Sequence, residues 1–206
     1  GTCPVPWFAL TAGIYNGEPD GDRSVANAFQ QLAGPFIIVE PSLHYSLADR
    51  PGTLRLGYWQ NRVEVEDLSD SEQEDNPYGW YITWDQLVWR EIPEDKNDPQ
   101  GIGIFTQYGW AWERLSEAHQ YLGAGLQWTG AIPGRDSDIA GLGIFHLLFS
   151  EDADFKEDSE TAIELFYVAE IAPWFWIKPD VQYIRNPGGE GTPDAIAVGI
   201  RWQLVF

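Results

Sequence analysis

Sulfur is nearly missing from this chain: its 206 residues include one cysteine, Cys3, and no methionine. A single cysteine makes no internal disulfide and no Cys-rich metal site. Positive charge is scarce as well, with 12 Lys and Arg against 32 Asp and Glu and a formal net charge of -20. That balance, without any basic run, excludes a nucleic-acid-binding surface. No apolar run reaches the roughly 18 residues that a membrane helix needs. Helix is nearly absent by pattern, VANAFQQLAG at 25–34 being the one short candidate. Aromatic rings, by contrast, are abundant: they make up 15% of the chain, with 11 Trp and 9 Tyr. Such content argues against disorder despite the charge.

Apolar and polar residues alternate with period 2 along most of the chain. The last segment, DAIAVGIRWQLVF at 194–206, puts Ile196, Val198, Ile200, Trp202, Leu204 and Phe206 on one face of an extended strand. The same pattern predicts antiparallel strands at about 7–16, 36–47, 53–62, 78–91, 101–113, 119–129, 138–149, 160–171, 176–185 and 194–206. Pro41 and Pro179 fall inside predicted strands and suggest bulges there. The connections alternate too. Links at 48–52, 92–99, 131–137 and 172–175 are compact, whereas 17–34, 64–77, 150–159 and 186–193 are long and polar; only the short link at 114–118 breaks the rule. A membrane barrel with tight turns at one rim and long loops at the other produces this rhythm.

The face opposite the apolar one separates a membrane barrel from a soluble β protein. Facing away from Leu54, Leu56 and Tyr58 are Arg55, Gly57 and Trp59; facing away from Leu122, Ala124 and Leu126 are Tyr121, Gly123 and Gly125. A soluble barrel would show Lys and Glu outside and few glycines. Trp and Tyr near predicted strand ends, at Trp7, Tyr15, Trp112, Trp128, Trp174 and Trp176, suit an interfacial aromatic girdle. A mean hydropathy of -0.30 fits such alternation, which averages toward zero. The expected fold is therefore all-β, an antiparallel up-and-down transmembrane β-barrel, with residues 1–206 forming a single domain.

Several stretches, in order along nearly the whole chain, resemble the carbohydrate-selective outer-membrane porins, the OprB-like family. They are GIYNGEPD (13–20), RPGTLRLGYW (50–59), YGWYITWDQLVWRE (78–91), GLQWTGAIPGRDSDIAGLGIF (125–145), EIAPWFWIKPDVQYIRNPGG (170–189) and the terminal segment. The resemblance implies a barrel of about 16 strands with a sugar-permeable lumen, set in outer-membrane lipid of a bacterium and commonly a homotrimer. It also implies that Phe206 serves recognition by the barrel-assembly machinery. Ten strands match the family's C-terminal part, so the expectation is a portion of a longer barrel whose N-terminal strands are missing. An open sheet in lipid would leave edge backbone groups unsatisfied, at several kcal/mol each.

Strand parity points Glu40, His44, Arg55, Trp59, Asp85, Gln127, Glu164, Asp180, Gln182 and Arg201, with Gln203, into the lumen. Carboxylates, amides, Arg and Trp offer a sugar both hydrogen-bond partners and a flat surface for its C–H groups. The bland reading of the same residues is a wall braced by cross-strand ion pairs. The acidic runs at 64–75 and 150–160 lack EF-hand spacing and read as solvated loops rather than a calcium site. His44 and Ser46 share a face in HYS, which leaves an outer-membrane hydrolase as one alternative. A soluble sugar-binding β domain is the other. No nucleophile elbow, HExxH or phosphate loop is present. The leading expectation is passive diffusion of carbohydrates, with no enzymatic step and no cofactor.

Overall fold

The computed structural model describes residues 6–17, 34–70, 74–96 and 98–205. Its strands are β1 (Phe8–Asn16), β2 (Pro35–Leu47), β3 (Arg50–Asn61), β4 (Val65–Glu66), β5 (Glu74–Asp75), β6 (Tyr78–Arg90), β7 (Gly101–Ala111), β8 (Ala118–Thr129), β9 (Ile139–Phe149), β10 (Ser159–Ala172), β11 (Phe175–Arg185) and β12 (Ala195–Leu204). Ten of them form one antiparallel sheet in the order β1-β2-β3-β6-β7-β8-β9-β10-β11-β12, each long strand beside its nearest long neighbour in sequence. β4 and β5 pair as a separate two-stranded ribbon inside the loop between β3 and β6. All ten strands expected from the sequence are present, with ends shifted by at most a few residues. The candidate helix at 25–34, apart from Gly34, and Phe206 lie outside the described residues.

The ladder registers put Leu10, Val39, Leu56, Ile82, Ile104, Leu122, Leu142, Leu165, Val181 and Val198 on one face of the sheet, one from each long strand. That face is not covered: Val198 is 79% exposed, Ile200 72% and Leu165 55%. Among the described residues only Ala111, Leu115 and Phe149 are buried apolar side chains. A ten-stranded sheet with so little interior and so much exposed apolar surface is wetted by lipid, not water. Rings border the apolar band on both sides. Toward the loop ends stand Tyr58, Trp80, Tyr108 and Trp110, with Trp80 and Tyr108 5.4 Å apart. Toward the turn ends stand Trp89, Trp128 and Trp202, the first two edge to face at 6.3 Å. Two of the expected girdle residues belong elsewhere. Tyr15 pairs with Phe36 and Trp176 with Gln203, on the polar face; closeness to a strand end does not fix parity.

The prolines also differ from expectation. Pro41 pairs with Leu10 and Pro179 with Ile200, and neither ladder slips there. Each proline withholds one N–H without adding a residue, so no bulge results. Register shifts fall instead between Leu87 and Trp89, Ala118 and Gln120, and Glu170 and Ala172.

The connections at the loop end, the short one after β7 included, join into a rim. The Leu68 amide donates to the Arg114 carbonyl at 2.8 Å, and the Arg114 guanidinium meets Asp67 at 2.8 Å. Burial pushes the Asp67 carboxyl up, but hydrogen bonds from Ser69 and the charge of Arg114 outweigh it and hold the group below its usual range. Further round, Phe149 and Phe155 stack at 4.2 Å against Gly189, whose carbonyl accepts from the amides of Lys156 and Glu157. Gly189 has φ +69° and no room for a Cβ, so glycine is required there on both counts.

Candidate functional site

The face opposite the apolar one carries the polar chemistry. By register Glu40, His44, Arg55, Trp59, Asp85, Gln127, Glu164, Asp180, Gln182 and Arg201 all fall on it, as does Gln203. They form two groups with β9 between them. In the first, Arg55 Nη1 donates to Asp85 Oδ2 at 2.6 Å, diagonally across the β3–β6 ladder. His44 Nδ1 lies 3.3 Å from Thr53 Oγ1, directly opposite it. The Tyr81 hydroxyl donates to Glu40 Oε2 at 2.6 Å, and Trp59 stacks on Phe36 at 5.8 Å. Gln127 is exposed, and with Asp85, Thr53 and Phe105 it lines a hollow of about 340 Å³.

The second group is built on β10, β11 and β12. Lys178 Nζ donates to Glu164 Oε1 at 3.0 Å and sits 3.9 Å above the centre of the Phe166 ring. Asp180 is buried. Its Oδ2 accepts from Gln182 at 3.4 Å, and its Oδ1 lies 3.8 Å from Arg201 Nε. Gly199 makes room for that carboxylate, since a Cβ there would lie 2.8 Å from both oxygens. Lys178 and Arg201 face each other across the β11–β12 ladder. Like charges so placed repel, and each turns to a carboxylate instead, Lys178 to Glu164 on β10 and Arg201 to Asp180 on β11.

The result is a wall on which Arg55, Lys178 and Arg201 each face a carboxylate, while Glu40 is held by a phenol. Such a surface offers donors and acceptors in quantity. Among the described residues no cluster of three or more His, Cys, Asp or Glu is placed to hold a metal ion. Parity picked out the polar side chains and, of the rings, Trp59 and Tyr121, but not the others between them. Tyr81, Phe105 and Phe145 occupy the same face, and the same counting of alternate positions would have placed them there.

A sheet that turns an uncovered apolar band one way and a braced polar face the other is a segment of an outer-membrane β-barrel wall. The chain belongs to the carbohydrate-selective porin, OprB family, whose family model matches residues 4–206. It is similar to Porin B of Pseudomonas aeruginosa, at 23% identity over 76% of this chain and 41% of that protein. It is also similar to the putative porin QuiX of Acinetobacter baylyi, at 22% identity over 98% of this chain and 53% of that one. The high-pH structure of Pseudomonas putida OprB superposes with a TM-score of 0.84 at 20% identity, covering 98% of this chain and 56% of that one. Its low-pH structure gives a TM-score of 0.65. The chain thus spans about half the length of the relatives it matches.

Proposed function

We propose that this chain forms part of the wall of a pore through which carbohydrates and other small solutes diffuse down their gradient across the bacterial outer membrane. The observation that carries this reading is the two-faced sheet: apolar side chains outward on every long strand, and on the other face ion pairs, amides and rings. Diffusion needs neither cofactor nor energy input, and nothing in the reading involves a catalytic step. Among the described residues β1 and β12 are the edges of the sheet. In lipid such edges need partner strands, and about six more would complete a barrel of about 16. The family resemblance supports a homotrimer in outer-membrane lipid, with Phe206 as the handle for the barrel-assembly machinery.

The test is conductance of the intact detergent-extracted protein in planar bilayers, with glucose and its oligomers added. Stable steps that sugars reduce are expected; steps indifferent to every sugar, or no insertion, would overturn the reading. The ion pairs give a second expectation. Arg55→Gln frees the Asp85 carboxylate and makes the wall more negative, so cation over anion permeability should rise severalfold, and more so in dilute salt. Reversal potentials under a KCl gradient measure it, and an unchanged ratio would remove Arg55 and Asp85 from the conducting surface.

A further inference from the structure

Glycines in this sheet repeatedly stand directly opposite an aromatic residue, as in four pairs on the polar face: Gly57 opposite Tyr81, Gly125 opposite Phe105, Gly123 opposite Phe145 and Gly141 opposite Phe166. In each pair the ring lies over the glycine. A Cβ on Gly57 would meet Tyr81 at 2.0 Å, on Gly125 would meet Phe105 at 2.6 Å, on Gly123 would meet Phe145 at 3.0 Å and on Gly141 would meet Phe166 at 2.2 Å. Because no side chain props them up, these rings lie flat against the backbone instead of standing into the open space. One ring face is spent on the sheet and the other is left for whatever passes.

Two of these rings, Phe105 and Phe145, join up with a third, Tyr121. Tyr121 and Phe145 are 6.2 Å apart with planes inclined by 17°, and Phe145 and Phe105 are 6.3 Å apart with planes inclined by 26°. They tile a strip along β8, floored by Gly123 and Gly125. At its loop end Tyr121 borders a hollow of about 160 Å³ that it shares with Trp59, Tyr81 and His119. At its turn end Phe105 borders the 340 Å³ hollow with Thr53, Asp85 and Gln127. From Tyr121 to Gln127 the strand advances about 20 Å. The strip therefore links two hollows at different depths of the wall.

We propose that Tyr121, Phe145 and Phe105 form a sliding surface for the C–H face of a sugar ring, and that Asp85, Gln127 and Thr53 at its turn end form the station where the hydroxyls are bound. The proposal rests on the pore reading above and specifies where on the wall the sugar travels. A pyranose has one face rich in C–H groups and an equator of hydroxyls, and a flat ring with polar groups at its edge meets both. The competing account is that the rings only shield glycine backbones and stabilise the sheet. Phe166 separates the two, because it covers Gly141 in the same way but its outward face is occupied by the Lys178 ammonium at 3.9 Å.

The experiment is sugar block of the intact porin in planar bilayers, using a glucose trimer, with folded protein verified by its heat-modifiable mobility. Phe145→Leu should weaken the block by about fivefold or more while leaving the open conductance in KCl at least as large as before. Phe166→Leu, which removes an equivalent glycine cover, should leave the block unchanged. Should Phe145→Leu fail to assemble, Phe105→Leu gives the same reading further along the strip. Wild-type block in the folded Phe145 or Phe105 variant overturns the proposal, as does an equal loss in Phe166→Leu. Absence of any block in the wild type would instead overturn the pore reading beneath it.

Discussion

Val181→Arg should destabilise the folded barrel by about 2–4 kcal/mol, whereas Gln182→Arg, one residue along, should leave stability nearly unchanged. Val181 sits near the middle of β11, opposite Leu165 on one side and Val198 on the other. Its surroundings are apolar and it is 40% exposed to whatever covers that face. An arginine there carries its charge into the hydrocarbon midplane, with no carboxylate on its face within the adjoining pairs. Gln182 points the other way, opposite Glu164, where a guanidinium finds a partner and water. Urea titration of the intact porin folded into liposomes measures both. Equal costs would mean that the two faces are solvated alike, and the membrane orientation of the sheet would be wrong.

The same alternation explains why so much of the fold was legible in the sequence. Where one face meets lipid and the other meets water, each strand must be apolar at every second position, and a strand such as Ala195–Leu204 declares itself without its neighbours. Turn chemistry then marks the ends, as at Ala48 and Asp49, whose φ values of 50° and 61° close the two-residue link between β2 and β3. Features that depend on a partner were not legible. The β4–β5 ribbon lies beside the contact between Asp67 and Arg114, which are far apart in sequence. Lys178 was passed over because its importance comes from Glu164 and Phe166 on the neighbouring strand. The aromatic strip needs the register between strands: Gly123 and Phe145 are both visible in the sequence, yet only the β8–β9 ladder sets one over the other.

The second large effect concerns a turn rather than the wall. Asp138→Asn should lower stability at neutral pH by about 2–3 kcal/mol, and the variant and wild type should converge as the pH falls below about 4. Asp138 ends the link between β8 and β9, in the segment GRDSD at 134–138, and its side chain is 3% exposed. It accepts hydrogen bonds from Arg135 Nε at 2.6 Å, from the Tyr167 hydroxyl and from the Glu170 amide at 2.9 Å. Arg135 Nη2 in turn donates to the Glu170 carbonyl at 3.2 Å. Glu170 stands where the β10–β11 register shifts, so one carboxylate ties the turn to the backbone that the bulge would otherwise leave unpaired. Burial pushes this carboxyl up, but the bonds from Tyr167, Glu170 and Arg135 together prevail and hold it below the usual range. A group lowered on folding stabilises above its unfolded value near about 3.9 and loses that contribution as the pH falls through the folded value. Asparagine keeps the shape, removes the charge and presents an amide to donors that need an acceptor. Arg135→Gln should destabilise as well, because it leaves the buried Asp138 carboxylate with the bonds from Tyr167 and the Glu170 amide but without its cation. Urea midpoints at pH 7 and below pH 4 decide the matter, and equal midpoints for wild type and Asp138→Asn at pH 7 would show that the turn holds without its carboxylate.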